Sequence, residues 1–183
     1  MSGHIYLLSK DSELTAMDET AYDSEDLLQE MLARHPDLLA GEQINSDEPR
    51  RWLLVTREMS VPDTESGGGR WSVDHLFLDQ DAVPTLVEVK RSSDTRIRRE
   101  VLGQMLDYAA NAVVYWPVEE VRARFESRCV DAERVLAAFL GEGQDANEFW
   151  QQVKTNLQAG RIRMVFLADS IPSELRRIVE FLN

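Results

Sequence analysis

Residues 85–100 read TLVEVKRSSDTRIRRE. Leu86, Val87 and Val89 have the composition of a buried strand, yet Glu88 and Lys90 stand inside it and Arg91, Arg96, Arg98 and Arg99 follow closely. Side chains alternate across a strand, so Leu86, Glu88 and Lys90 share one face, with Val87 and Val89 on the other. Against the five cations of residues 90–99 only Asp94 is acidic, which leaves an island of +4 in a chain of formal charge −13.

The preceding stretches, WSVDHLFLD (71–79) and AVPTLVEVK (82–90), read as neighbouring strands of a hairpin. Asp74 lies fourteen residues before Glu88, and register decides whether the two acids meet, because directly opposed residues point to the same face. If Asp79 pairs with Val83 across a three-residue loop of Gln80, Asp81 and Ala82, Asp74 falls opposite Glu88 on the face of Lys90. A four-residue loop would put the acids on opposite faces. Two opposed carboxylates destabilise a bare sheet. A hard divalent cation, Mg²⁺ or Mn²⁺, removes the conflict, because such ions bind through one or two carboxylates and complete their shell with water and phosphate oxygens. Lys90 would then position a water, neutralise charge at a phosphate, or help to remove a proton. That constellation fits hydrolysis of a phosphodiester.

The rest of the chain frames this site. With 183 residues, 43% of them hydrophobic, it has the size and apolar content of one α/β domain spanning 1–183. No apolar run reaches the ~20 residues that cross a bilayer, and MSGHIYLLSKDSE has no signal-peptide pattern. The single cysteine, Cys129, excludes an internal disulfide and a cysteine zinc cluster, which points to a reducing, cytoplasmic setting. An acidic chain argues against nucleic acid. However, residues 11–48 hold twelve Asp and Glu against Arg34 alone, so most of the acid lies upstream of the arginine island.

Strand-like runs at 4–9 and 13–17 around Lys10, Asp11 and Ser12 predict an N-terminal hairpin over 4–17. Ser24 reads as the N-cap of a helix whose apolar face is Leu27, Leu28, Met31 and Leu32 and which stops at Pro36. Residues 51–61 read as a strand, and TESGGGR (64–70) as a loop. A helix is expected from about Thr95, with Val101, Met105 and Ala109 inward. Residues 118–158 read as three helical pieces divided near Cys129 and at 141–145, followed by a strand at 161–169 and a final helix. The order predicts one mixed sheet flanked by helices.

Asp74, then Glu88-Val89-Lys90, then Gln104-Met105-Leu106-Asp107-Tyr108 resembles the PD-(D/E)XK nuclease superfamily, in its RecB-like branch with a Q-x-x-x-Y helix. The likeness covers about 23–114 and 161–169 and leaves the helical insert 118–158 outside. It departs at Val73, where the superfamily's name has proline. The resemblance implies a restriction-endonuclease-like core. It also implies metal ligation by Asp74, Glu88 and the backbone carbonyl of Val89, and a metal-dependent nuclease activity, on DNA in repair, recombination or defence.

The supporting residues each admit two readings. Gln104 and Tyr108, four apart on one helix side, touch Lys90 or a phosphate, or form an amphipathic rim. Glu25, aligned with Leu28 and Leu32, corresponds to the glutamate that the superfamily often carries near the metal. An acid in the first helical turn is favourable for the dipole alone. Arg91, Arg96, Arg98 and Arg99 contact nucleic-acid phosphates or pair with the acidic N-terminal segment. His75, on the face opposite Asp74, is expected to pack rather than ligate, and the four tryptophans to lie in the core. No Ser-His-Asp, Cys-His or phosphate-cradling glycine motif is present. The expected partner is nucleic acid, with a second copy of the chain as a further candidate and no membrane. The rival reading is a nuclease-like domain that binds nucleic acid or protein with little or no catalysis.

Overall fold

The computed structural model describes residues 5–18, 22–61, 71–91 and 100–183. Near the N-terminus β1 (Ile5–Leu8) and β2 (Leu14–Met17) form a hairpin, paired from Ile5↔Met17 to Leu8↔Leu14. The first helix, α1 (Glu25–Arg34), begins as its sequence predicts: Ser24 Oγ accepts the Leu27 N–H at 3.1 Å, and Glu25 and Asp26 occupy the first turn. It ends before Pro36, which opens a single 3₁₀ turn.

The centre is a mixed four-stranded sheet flanked by helices. Strands β3 (Trp52–Val61), β4 (Trp71–Asp79) and β5 (Pro84–Lys90) form an antiparallel meander. The chain then runs through α2 (Glu100–Tyr115), α3 (Val118–Arg128), α4 (Ala132–Leu140) and α5 (Ala146–Gln158) before β6 (Arg163–Ala168) adds parallel to β5. Helix α6 (Ser173–Leu182) follows. The three insert helices break where the sequence places the breaks, at Cys129 and at 141–145, with Asp131 and Asp145 as N-caps. The expected start of α2 near Thr95, the glycine loop at 64–70, and Arg96, Arg98 and Arg99 lie outside the described residues.

Each sheet face has its own core. Leu53, Val55, Val73, Leu76, Leu78 and Leu86 pack on Met105, Tyr108, Phe125, Leu136 and Trp150 from α2 to α5. On the other face Trp52, Leu54, Phe77, Val87 and Val89 pack on Leu32 and Leu39. Side chains thereby alternate from His75 to Leu78 and from Leu86 to Val89, even numbers facing the helical insert and odd numbers α1; Val73 breaks the alternation by packing with Leu76 on the insert side. His75 obeys it. It is fully buried on the α1 side, stacks on Phe77, and its Nε2 lies 2.9 Å from the Gln29 carbonyl.

Burial pushes the His75 imidazole down to about 4. The Gln29 carbonyl opposes this and the Arg57 charge adds to it. The folded value lies below the unfolded one, so folding excludes a proton that the unfolded chain binds. The stability is whole above about pH 6.5 and is lost as pH falls towards 4. Between pH 7 and pH 5 this one group is expected to remove about 2 kcal/mol. Urea unfolding of His75→Phe should lack that component, and an equal pH slope in both proteins would refute it.

The β4–β5 loop is built around one buried acid. Asp79, with no exposed surface, accepts the N–H groups of Asp81 and Val83 at 3.0 and 2.9 Å. Its second oxygen accepts from Arg163 Nη1 at 2.8 Å, and Arg50 stands 3.8 Å away. Asn156 of α5 donates to the carbonyls of Asp81 and Ala82 at 3.0 and 2.9 Å. Ala82 takes the left-handed conformation (φ 60°) that closes a three-residue hairpin loop.

Candidate active site

That loop has three residues, Gln80 to Ala82, and its closing bond runs from the Asp79 N–H to the Val83 carbonyl at 3.3 Å. Pairing proceeds in step through Leu78↔Pro84 and Leu76↔Leu86 to His75↔Val87. The recorded pairing stops there, next to Asp74 and Glu88, and the two acids are near enough for the Asp74 charge to act on Glu88. There the Asp74 carboxylate, rather than a backbone carbonyl, accepts the Val89 N–H at 2.7 Å.

Lys90 Nζ lies 2.8 Å from Glu88 Oε1 and 3.8 Å from Glu25 Oε2. Glu25 reaches the strand end from the first turn of α1, and its other oxygen accepts the Arg91 N–H at 3.0 Å. From the opposite side α2 contributes Tyr108, which is buried, and Gln104, whose amide donates to the Tyr108 hydroxyl. Tyr108 is within electrostatic range of Glu88, Asp74 and Lys90. The amphipathic-rim reading required a wet hydroxyl, and a residue 1% exposed does not provide one.

The electrostatics are those of crowded acids. Burial raises the Glu88 carboxyl to about 7; the Asp74 charge adds to this, and Lys90 and the Asp74 backbone N–H oppose it. Asp74 is also raised, first by burial, against the Val89 N–H and Lys90, with Glu25 and Glu58 adding to the rise. Burial pushes Lys90 down, but the hydrogen bond and charge of Glu88, with Asp74 and Glu25, outweigh it and hold the ammonium above its ordinary value. Burial raises the Tyr108 hydroxyl, Gln104 opposing and the Glu88 and Asp74 charges adding to the rise.

Glu88 is 2% exposed and its Oε2 has no hydrogen-bond partner. A buried carboxylate oxygen without a donor is costly, and a hard cation is one group that satisfies it. Among the described residues no three His, Cys, Asp or Glu side chains are disposed to hold a metal ion by themselves. Asp74 and Glu88 by themselves would leave most of an ion's shell to carbonyl, water and substrate oxygens. Val89, whose carbonyl is the expected further ligand, lies between Glu88 and Lys90 in β5.

The remaining residues divide. Arg91 turns towards the N-terminal segment, where its Nη1 donates to the Asp23 carbonyl at 3.0 Å. Trp52, Trp116 and Trp150 are buried. Glu58 was not singled out by its sequence context. The pairs Arg57↔His75 and Met59↔Val73 put it opposite Asp74, on a left-handed backbone (φ 52°), and its charge acts on Asp74. Its placement depends on a register shift between Leu54 and Thr56 that alternation does not reveal.

Among the described residues no helix is long and apolar enough to cross a membrane. Comparison of the chain with protein-family models, with curated proteins and with solved structures gives no match.

Proposed function

We propose that this chain is a divalent-metal-dependent nuclease with a restriction-endonuclease-like core, of the PD-(D/E)XK type, that hydrolyses phosphodiester bonds in DNA. The observation that carries the reading is the crowding of Asp74 on buried Glu88 beside Lys90, with the Glu88 Oε2 left without a hydrogen-bond partner. A structural ion pair has no need of a second acid that raises the first.

In this reading Asp74, Glu88 and the Val89 carbonyl hold Mg²⁺ or Mn²⁺, and the bound ion supplies positive charge where the phosphodiester gains negative charge. Lys90, flanked by Glu88, Asp74 and Glu25, is held as an ammonium. It donates a hydrogen bond and a charge to the phosphate or the attacking water, and does not serve as the base. Glu25 fixes Lys90 and the Arg91 backbone together. Gln104 orients the Tyr108 hydroxyl towards the acids. Arg96, Arg98 and Arg99 contact the nucleic-acid backbone.

A second reading, a nuclease-like domain that binds without cutting, is favoured by one observation. Asp74 and Glu88 each already have a partner within the chain, Val89 N–H and Lys90. One experiment separates the two. The protein is incubated with single-stranded, duplex and branched DNA in Mg²⁺, Mn²⁺ or EDTA, and ion binding is measured by calorimetry. Cleavage in either ion that stops in EDTA is the expected result. No cleavage of any substrate, together with no ion bound, selects the binding module.

A further inference from the structure

The β1–β2 hairpin and the groove along β6 are two halves of one contact, and we propose that they meet between two copies of the chain. All eight residues of β1 and β2 are exposed. They present apolar side chains on both faces: Ile5, Leu7 and Met17 on one, Tyr6, Leu8 and Leu14 on the other. Ile5 is 72% exposed, Leu8 66% and Leu14 64%. A lone two-stranded hairpin is marginal in water, and one that is apolar on both sides loses further by staying bare.

The same chain carries an unfilled counterpart. Among the described residues strand β6 is an edge of the four-stranded sheet, the position at which an added strand pairs. Beside it runs a groove of about 710 Å³, with Leu38, Ile44, Trp52, Phe166, Ile171 and Val179 in its lining and Arg163, Arg176 and Glu180 among them. A partner of another kind would need to fit only one of these surfaces. A second copy supplies both, and a reciprocal exchange about a two-fold axis makes the contact twice.

The two contacts together supply the area. Three large side chains on one hairpin face, half to three-quarters exposed, cover roughly 350 Å² in one groove at about 200 Å² each, and reciprocal docking, hairpin into groove on both sides, brings each partner close to the ~800 Å² of a standard interface.

Sedimentation of the full chain is expected to show a dimer. Leu8→Glu with Leu14→Glu, in the hairpin, should raise its dissociation constant by about 100-fold or more. Leu38→Glu with Ile171→Glu, in the groove, should do the same. These four side chains are at least 40% exposed, and thermal melts check that the variants stay folded. Mixing the two variants is the decisive step. A mixed dimer keeps one intact hairpin–groove contact where either variant alone keeps none, so heterodimers should form. A monomeric parent overturns the proposal, whether amide exchange finds the hairpin free or folded back on its own chain. So does a dimer that either pair of substitutions leaves intact, or a mixture that yields no heterodimer.

Discussion

Glu88→Gln is expected to reduce metal-dependent cleavage by about 10³-fold or more while making the folded protein more stable. The two effects have one cause. Glu88 is buried beside Asp74, and folding holds its carboxyl at about 7, above its ordinary value. The folded state therefore binds a proton that the unfolded chain releases. The sign follows: its contribution is intact at low pH and is lost as pH rises through about 7. Glutamine keeps the shape and leaves a carbonyl for Lys90, but it removes the repulsion. The variant should exceed the parent most at pH 8, and the margin should shrink towards pH 5. Denaturant midpoints at the two pH values, with a cleavage assay on the same preparations, test it. A variant less stable than its parent at pH 8 would show that Glu88 is there to pair with Lys90. Asp74→Asn should behave in the same way. Lys90→Ala should lose cleavage without that gain, because it removes the cation that offsets both acids.

The largest loss of stability is expected at the other end of the same hairpin. Asp79→Ala leaves the Asp81 and Val83 amides without their acceptor and Arg163 without its buried partner. Breaking a buried pair by removing one member costs about 4 kcal/mol, and Tm should fall by about 10 °C. Asp79→Asn keeps an acceptor for the turn and loses the charge, and should cost about 2 kcal/mol. Calorimetry of both variants checks the order. A loss under about 1 kcal/mol for Asp79→Ala would mean that Asn156 alone holds the loop. Activity would fall with it, because this loop sets the register of the two strands that carry Asp74 and Glu88.

How far the sequence carries depends on how local the determinant is. The pairing from Leu78↔Pro84 to His75↔Val87 follows from strand alternation and one loop length, both encoded within residues 75–87. The helix limits follow from Ser24, Pro36, Asp131 and Asp145, whose effects act within a turn. Asp79 reads in isolation as an ordinary turn acid. Its burial comes from Arg163 and Asn156, more than seventy residues away, which no local pattern links to it. Glu58 is hidden for a related reason: alternation along β3 fails at the shift near Leu54, so its alignment with Asp74 needs the folded sheet. Arg91 reads equally as a phosphate contact or a tether, and only the fold brings it to Asp23.

The parallel pairing of β5 with β6 sets an order of events during synthesis and folding. Thr85 meets Arg163 only after the whole helical insert has been made, so a long loop must close before β5 gains its second neighbour. Until then β5 is a sheet edge rich in Leu and Val, the kind of strand to which other nascent chains add. Glu88 and Lys90 sit in the middle and at the end of that edge. Charges there act as gatekeepers against aggregation, so the residues that crowd the finished site also protect the unfinished sheet. Neutralising Glu88 exchanges a gain in final stability for a more hazardous path to it.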